Sequence, residues 1–266
     1  MKLFLMTLIA AKVAFSTPEP AIDEVIAKFD QAGIAWNAID QVNWPEYPYK
    51  PEVEFRIMHS DTEIYLQYHV KENGARATYD YDYRSKPYTD DCVEFFMIPS
   101  DRDNSYFNLE MNCIGHGTFD YGPLGGPRFH CDDRILSQIR RYSTLGSQAF
   151  GMIEGPQEWT ITIAIPKRLY AQADLNLTEF SGRTVKANFY KCGDDTAVTH
   201  YLSWNPVGTP QPSFHQPDFS ATSISSSFYR IEAELISSGQ NMALAVSLPV
   251  PYQMARKFGS MVPDPG

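Results

Sequence analysis

The sequence is short of positive charge and of long apolar runs. Its 22 Lys and Arg residues are outnumbered by 32 Asp and Glu residues, which gives a formal net charge of -10 at pH 7. Nucleic-acid binding depends on basic stripes that neutralise phosphates, so this balance argues against a nucleic-acid partner. A helix needs about 20 apolar residues to cross a bilayer, and no segment of this chain reaches that length. We therefore expect neutral ligands and no membrane span.

Cysteine and histidine are scarce and are not spaced like ligands. The four cysteines are Cys92, Cys113, Cys131 and Cys192, a spacing that matches neither a compact disulfide framework nor a CxxC pair. We expect buried, unpaired thiols that behave as small hydrophobic residues. The six histidines are scattered without a metal-binding pattern. The sequence therefore predicts no cofactor and assigns no metal site.

The first residues have features of a short export signal, with one irregularity. An apolar run covers residues 3–11, and the small residues Ala14 and Ser16 stand where a cleavage point would lie. Lys12 interrupts the pattern. Residues 1–20 are therefore expected to be a signal or an N-terminal extension. The sequence leaves open both export, to the periplasm or outside the cell, and a cytoplasmic location.

Short alternating runs dominate the chain up to about residue 219. A helical pattern, Ala21–Gly33, comes first, with apolar residues three or four positions apart and a glycine stop. The later runs have the period of two that is typical of strands with one buried face. These runs are 53–59, 63–70, Asp91–Ile98, Tyr106–Cys113, Trp159–Ile165, Val185–Cys192 and His200–Trp204. We predict an all-β chain, an antiparallel, jelly-roll-like β-sandwich over residues 21–219 with one short N-terminal helix and a tail, 220–266, of uncertain structure.

The segment YTDDCVEFF, residues 88–96, contains the most informative polar residues. On a strand, Cys92, Glu94 and Phe96 share one face. Burying an ionised carboxylate without partners is costly, so Glu94 either meets an internal donor or points into a wet site where it binds ligand hydroxyls. The residues alone leave both interpretations open.

Two further groups have the same ambiguity. Asn108, Glu110 and Asn112 alternate with apolar residues and form a polar row, which either binds sugar hydroxyls or is an ordinary outward strand face. Trp204, followed by Asn205 and a proline, is either a core residue or a flat platform for a pyranose ring.

Taken together, these segments resemble the DOMON-like carbohydrate-binding modules of family 9. The most specific element is an aromatic-x-Asp-Asp-x-x-Glu motif followed by an apolar strand. The resemblance covers about Ile39 to Phe219, and the serine-rich region after it departs from the family. The segments that carry it are YTDDCVEFFMIP, YFNLEMNCIG, WTITIAIP, ANFYKCGD, HYLSWNP and SFHQPDF.

The resemblance implies a site that holds a terminal glucose-type or related sugar unit between two aromatic rings. In this chain Tyr88 stands for the first ring, where the best-known members have Trp, and Glu94 stands for the strand carboxylate. Trp204 is the expected second ring, and Asn112 and Asn205 are expected to contact hydroxyls. Some members carry structural calcium, but no acidic loop here matches a calcium motif.

The family implies binding of oligo- or polysaccharides in support of their breakdown, with glycoside hydrolases as expected companions and without catalysis. A glycoside hydrolase acting on O-glycosyl bonds is an alternative, because a glycosidase needs two carboxylates about 5–9.5 Å apart and Glu94 and Glu110 lie on neighbouring predicted strands. The chain contains no HExxH, G-x-S-x-G, P-loop or dinucleotide-binding motif.

A second alternative is a haem-binding electron carrier of the DOMON type. Related sandwiches hold haem through axial Met and His ligands, and Met58, His59 and His69 lie on early predicted strands.

Overall fold

Two β-sheets pack face to face in the computed structural model, which describes residues 7–99, 105–172, 184–215 and 223–225. Within this part of the chain one sheet has nine strands and the other has six. Nearly all neighbouring strands are antiparallel; the parallel pairs involve the two short N-terminal strands. The predicted all-β sandwich is confirmed.

Seven of the strands follow the predicted alternating runs, two of these seven are much longer than the run that predicted them, and the other strands lie outside the runs. In chain order they are β1 (Thr7–Ile9), β2 (Ala11–Lys12), β3 (Asn37–Ala38), β4 (Gln41–Val42), β5 (Glu52–His59), β6 (Glu63–Ala77), β7 (Cys92–Ile98), β8 (Ser105–Asn112), β9 (Gly117–Pro123), β10 (Phe129–His130), β11 (Arg140–Ser143), β12 (Phe150–Pro166), β13 (Thr184–Gly193), β14 (His200–Ser203) and β15 (Ser223–Ser225).

The larger sheet runs β1-β15-β13-β7-β8-β9-β10, with β14 pairing both β13 and β4. The smaller sheet runs β11-β12-β6-β5-β2, with β3 pairing β5. Strands β7 and β8 therefore lie at the centre of the larger sheet, and their outward faces are held rigid on both sides by neighbouring strands.

The predicted N-terminal helix is confirmed as α1 (Ile22–Gln31). Val25 and Phe29, one helical turn apart, are buried and pack on the outer face of the smaller sheet, so the spacing that predicted the helix also places it. A second helix, α2 (Asp133–Leu136), is one turn long, and 3-10 turns cover Pro87–Thr89 and Lys167–Gln172. Within the described residues, no helix is long and apolar enough to cross a bilayer.

The main core lies between the sheets and is built from the inward side chains of both. On the larger sheet these include Val93, Phe95 and Leu109, which alternate with the outward residues of β7 and β8. Phe55 of the smaller sheet stacks on Phe189 with ring centroids 3.7 Å apart. Because the alternation is strict, the residues between these positions must face away from the core.

Strands near the start of the chain and just after residue 220 also join the sheets. Strand β1 pairs in parallel with β15, and β2 pairs in parallel with the end of β5. Residues 7–12 thus lie in the segment 1–20, which the sequence left open as a signal or an extension. Of the predicted tail, β15 is described and pairs with β13; residues 226–266 lie outside the described residues.

A second aromatic cluster covers part of the outer face of the larger sheet. It includes Trp44 and Phe214, which come from the proline-rich loop before β5 and from the segment after β14, and Tyr190 of β13. Tyr190 stacks on Phe214 with centroids 4.2 Å apart, and the Trp44 indole N–H donates to the carbonyl oxygen of Thr209 at 2.9 Å. These loops bound one side of the polar region described next.

Candidate functional site

The outer face of β7 and β8 brings acidic and amide side chains together. Strand register places Glu94 directly opposite Glu110, and Asn108 directly opposite Asp120 of β9. Directly opposite residues of antiparallel strands have Cβ atoms about 4.5–5.5 Å apart. We call Glu94, Asn108, Glu110, Asp120 and Arg128 the outer-face site.

Asn108 and Arg128 organise the floor of this site. The Asn108 amide donates to Glu110 Oε1 at 2.8 Å. The Arg128 guanidinium lies over the ring of Tyr106, 3.7 Å from its centroid, and donates to the Tyr106 carbonyl at 3.1 Å and to Asn108 Oδ1. Glycine is required at Gly117, where a Cβ would lie 1.8 Å from the Glu110 carbonyl oxygen. The close β8–β9 approach that this glycine permits fixes the position of Glu110.

His215 stands at the edge of the outer-face site, half-exposed. Its Nδ1 lies 2.5 Å from the Tyr106 hydroxyl, and its Nε2 lies 3.9 Å from Glu110 Oε1. Burial first, and the charge of Arg128 second, lower the pKa of His215 to about 4. The ring is therefore neutral at pH 7 and provides one donor or acceptor next to Glu110.

The carboxylates of the outer-face site are poorly neutralised. Burial raises the pKa of Glu94 well above its usual value, and the neighbouring Cys192 and Glu110 raise it further. Burial likewise raises the pKa of Glu110 to about 7, although its bond from Asn108 acts in the opposite direction. The pKa of Asp120 is also raised, mainly by burial. A ligand that donates hydrogen bonds here would stabilise the ionised carboxylates.

Tyr88 is the aromatic residue that borders these carboxylates. It lies in the 3-10 turn Pro87–Thr89, and 39% of its surface is exposed. Partial burial raises the pKa of its hydroxyl, and the charge of Glu110 is the next largest cause. The turn itself packs against β7, β8 and β13. The Tyr88 carbonyl accepts a hydrogen bond from the Asp194 N–H at 2.9 Å, which ties the turn to the end of β13.

The two aspartates between Tyr88 and Glu94 hold the turn in place. Asp90, fully buried, accepts hydrogen bonds from Thr78 N at 2.8 Å and from Tyr79 N at 3.2 Å. Asp91 accepts from Arg76 N at 2.8 Å and from Lys191 Nζ at 3.0 Å. The Asp-Asp pair of the motif therefore anchors the loop before the turn and thereby positions Tyr88.

Asn112 belongs to this anchor. Its side-chain amide donates to the Tyr79 carbonyl at 2.8 Å and to Asp90 at 3.1 Å, and its oxygen accepts from His116 N at 2.9 Å. With all these partners inside the protein and no exposed surface, Asn112 holds the turn instead of facing a ligand. This corrects the expectation that it contacts a sugar hydroxyl.

Trp204 and Asn205 are also internal. Trp204 is 3% exposed and packs edge-on against Phe55 and Phe189, with ring centroids 5.5 and 5.6 Å away, in the core between the sheets. Asn205 is fully buried; its N–H donates to Asn188 Oδ1 at 3.0 Å and its carbonyl accepts from Ser203 Oγ at 2.6 Å. The expectation that Trp204 faces Tyr88 across a sugar is corrected, because its ring is directed toward the smaller sheet.

Of the predicted site residues, Glu94 lies on the outer face of β7 and Tyr88 lies partly exposed in the turn before β7, whereas Asn112, Trp204 and Asn205 are buried among partners within the protein. Sequence reasoning missed Arg128, Tyr106 and His215, which lie far apart along the chain and follow no common pattern. Asn108 and Glu110 had a detectable signal, because they alternate with apolar residues in the strand that pairs with β7.

A second acidic cluster, between the sheets, is already neutralised by lysine. Glu72, Asp91 and His200 approach one another closely enough to surround a metal ion. Lys191 Nζ, however, lies 2.9 Å from Glu72, 3.0 Å from Asp91 and 2.6 Å from His200 Nε2. The lysine ammonium therefore takes the position that a metal ion would have between these three side chains. We call these four residues the Lys191 cage.

The residues proposed for haem do not converge. Met58 lies under α1, whereas His59 is buried and bonds to Ser60 O at 3.1 Å. His69 lies opposite Glu54, four residues from Met58 along β5, and its Nε2 is bonded to Glu158 Oε1 at 2.8 Å. These side chains have separate partners within the protein, which gives the haem alternative no support.

Comparisons with known proteins give one consistent result. The model of carbohydrate-binding family 9 matches residues 23–224. A candidate carbohydrate-binding protein from Bacteroides uniformis is 36% identical over 83% of this chain and 98% of that one, with a TM-score of 0.78. No curated protein matches the chain.

Two family 9 structures from Caldicellulosiruptor kristjanssonii share the fold at 13% identity. The module in complex with glucose has a TM-score of 0.53 over 83% of this chain and 95% of that one. The module in complex with cellotriose has a TM-score of 0.51 over 89% of this chain and 100% of that one. From the family match and the Bacteroides relative together, the chain belongs to carbohydrate-binding family 9.

Proposed function

We propose that the chain binds the terminal sugar unit of an oligo- or polysaccharide at the outer-face site, with Tyr88 as the stacking ring. The observation that carries the proposal is the position of an exposed ring next to two buried, opposed carboxylates, Glu94 and Glu110, on a rigid strand pair. Sugar hydroxyls donate and accept hydrogen bonds, and the C–H face of a pyranose packs on aromatic rings. The proposed contacts require no metal or cofactor.

The electrostatics of the outer-face site support a hydroxyl-rich ligand. Glu94 and Glu110 are shielded from water and have few donors, and the carboxylate of Asp120 has one buried oxygen, Oδ1, without a hydrogen-bond partner in the described part of the chain. Buried acceptors without donors are costly. A neutral sugar supplies donors without adding negative charge, in accord with the acidic character of the whole chain.

The family is one of binding modules, and we propose a supporting role beside glycoside hydrolases in polysaccharide breakdown. The complexes of the Caldicellulosiruptor modules make glucose and cellotriose the first ligands to test. Because the family is one of binding modules, we expect binding without hydrolysis.

The test is a glycan array followed by calorimetry with the best ligand and with glucose and cellotriose. We expect saturable binding at one site per chain, and no release of reducing sugar after long incubation. Absence of binding to every glycan would overturn the proposal, and release of reducing sugar that Glu110→Gln abolishes would replace it with hydrolysis.

A further inference from the structure

Two cysteines face each other beside the outer-face site, on the same face of the larger sheet. Cys92 is the first residue of β7 and Cys192 lies near the end of β13, and strand register makes them direct partners. Both side chains lie on the outer face, and both are buried. The two Sγ atoms and a carboxylate oxygen of Glu94 all lie within 4.8 Å of one another.

The backbone at this pair already has the dimensions of a disulfide. Directly opposite residues of antiparallel strands have Cα atoms about 4.5–5.5 Å apart, and disulfides join Cα atoms about 4.4–6.8 Å apart. The two other cysteines, Cys113 and Cys131, belong to the core between the sheets. A bond between Cys92 and Cys192 therefore needs side-chain rotation, without a change of register.

The pair is also connected to the proposed sugar contact. Cys192 Sγ donates to Glu94 Oε1 at 3.1 Å. A sulfur in a disulfide carries no proton and cannot make this bond. The oxidation state of the pair therefore determines whether the Glu94 carboxylate has a thiol donor or needs one from elsewhere.

We propose that Cys92 and Cys192 form a redox-active dithiol that a small peroxide converts to a cross-strand disulfide, and that this conversion strengthens sugar binding by leaving Glu94 free to accept from a sugar hydroxyl. The disulfide stands on the geometry of the pair alone. The effect on affinity rests on the proposed function.

The chemistry balances with hydrogen peroxide as the oxidant. The Cys192 thiol loses its proton and its sulfur attacks one peroxide oxygen; the O–O bond breaks, giving a sulfenic acid and hydroxide, which takes up that proton to form water. The Cys92 sulfur then attacks the sulfenic sulfur, the S–O bond breaks, and a second water leaves with the Cys92 proton. Two thiols are oxidised by one electron each, and the peroxide is reduced by two.

Burial selects which oxidants react. It raises the pKa of Cys92 to about 12, so little thiolate exists at neutral pH, and the aromatic cluster of Trp44, Tyr190 and Phe214 packs around the pair. Since the thiolate is the nucleophile, reaction is slow, and bulky disulfides such as oxidised glutathione are too large to enter. A small peroxide is the chemical class that fits.

The first measurement is mass spectrometry of the full chain, reduced and then treated with hydrogen peroxide. We expect the loss of two hydrogens and a peptide linking Cys92 to Cys192. The link forms equally in Cys131→Ala, the matched control from the core, and is lost in both Cys92→Ser and Cys192→Ser, whose folding is checked by circular dichroism. The proposal is overturned if the four thiols stay reduced, if another pair forms, or if the purified chain holds stoichiometric zinc that Cys92→Ser releases.

The second measurement is calorimetry of the reduced and oxidised chains with the best glycan. We expect three-fold or greater tightening in the oxidised chain, reversed by reduction. Cys92→Ser should show no response to peroxide, and Cys131→Ala should respond like the wild type. Equal affinity of the two forms would overturn the coupling to Glu94. If neither form binds any glycan, the proposed function fails, while the mass measurement still decides on the disulfide.

Discussion

Asp91 and Glu94 lie three residues apart along the chain, but they belong to two groups of buried carboxylates that differ in how their charge is neutralised. Asp91 points between the sheets into the Lys191 cage, where one ammonium serves two carboxylates and a histidine. Glu94 points outward, opposite another glutamate. In the cage the Lys191 ammonium lowers the pKa of Asp91 against the effect of burial, whereas burial raises the pKa of Glu72 to about 7 although Lys191 opposes this rise. At the outer-face site the pKa values of both glutamates are raised.

This difference distinguishes carboxylates that serve the fold from carboxylates that are available to bind a ligand. Carboxylates with a cation and backbone donors are satisfied by the fold and have nothing left to offer a ligand. Carboxylates that are buried beside one another without a cation are stabilised further when an external donor arrives. Residue type alone does not distinguish the two groups, since both belong to one motif.

Removing the lysine of the cage should have the largest effect on stability. Lys191→Met leaves Glu72 and Asp91 buried without their cation, and breaking a buried pair in this way costs about 3–5 kcal/mol. Urea denaturation should show this loss, while Lys186→Met, an exposed lysine of the same strand, stays close to the wild type. A loss below about 1 kcal/mol would mean that the cage does not hold the sheets together.

Trp204→Ala should have a similar or slightly smaller effect on stability. Truncating a buried Trp costs about 3–5 kcal/mol, because a cavity opens between Phe55 and Phe189. In the variant that remains folded at low temperature, we expect sugar affinity within about two-fold of the wild type, measured by calorimetry. If the variant had normal stability but no longer bound sugar, Trp204 would have to be a ligand-binding residue.

The strand layout was predictable from the sequence because burial on one face imposes a period of two on each strand separately. Each strand reveals its inward face without knowledge of its neighbours, as Val93 and Phe95 illustrate in β7. The pattern of RILSQIRRY, residues 134–142, fits either a strand or one helical turn, and the structure has a helical turn, α2, followed by strand β11. A local pattern was sufficient in each case.

The site was harder to predict because its members are joined by partners far apart in sequence. Asn112 and Asn108 look alike in the polar row of β8, yet Asn112 bonds to Asp90 and Tyr79 whereas Asn108 bonds to Glu110. Lys191 reads as a surface lysine until strand pairing places it opposite Val93, on the core face. No feature of the sequence distinguishes these cases before the strands are paired.

Changes at the outer-face site should affect affinity and leave the fold intact. Tyr88→Ala removes a ring contact of about 1 kcal/mol, and Glu94→Gln weakens a hydrogen bond to a charged group, which is worth about 1.5–3 kcal/mol. We expect roughly five-fold and ten-fold weaker binding by calorimetry. Tyr142→Ala, an exposed tyrosine of the smaller sheet, is the matched control and should bind normally. Unfolding of Tyr88→Ala would show that this ring is structural.

The most gradual effect expected is a dependence of the free energy of unfolding on pH, to which Glu110 contributes. The folded protein raises the pKa of Glu110 from 4.5 to about 7, mainly through burial, so folding favours the neutral carboxyl. The stabilisation from this group is fully present below pH 4.5 and is lost as the pH rises through about 7. Glu110→Gln, which stays neutral, should therefore gain roughly 2 kcal/mol relative to the wild type between pH 5 and pH 8, since one unit of pKa shift is worth about 1.4 kcal/mol.

Other carboxylates titrate in the same range, so the informative quantity is the difference between the two proteins in urea denaturation at each pH. Glu46→Gln, a change in an exposed loop, should follow the wild type throughout. Saturating sugar should reduce the difference for Glu110→Gln, because a hydroxyl donor lowers the pKa of the wild-type carboxyl. A constant difference across this pH range would mean that Glu110 is as well neutralised as Asp91, and the contrast between the cage and the outer-face site would then disappear.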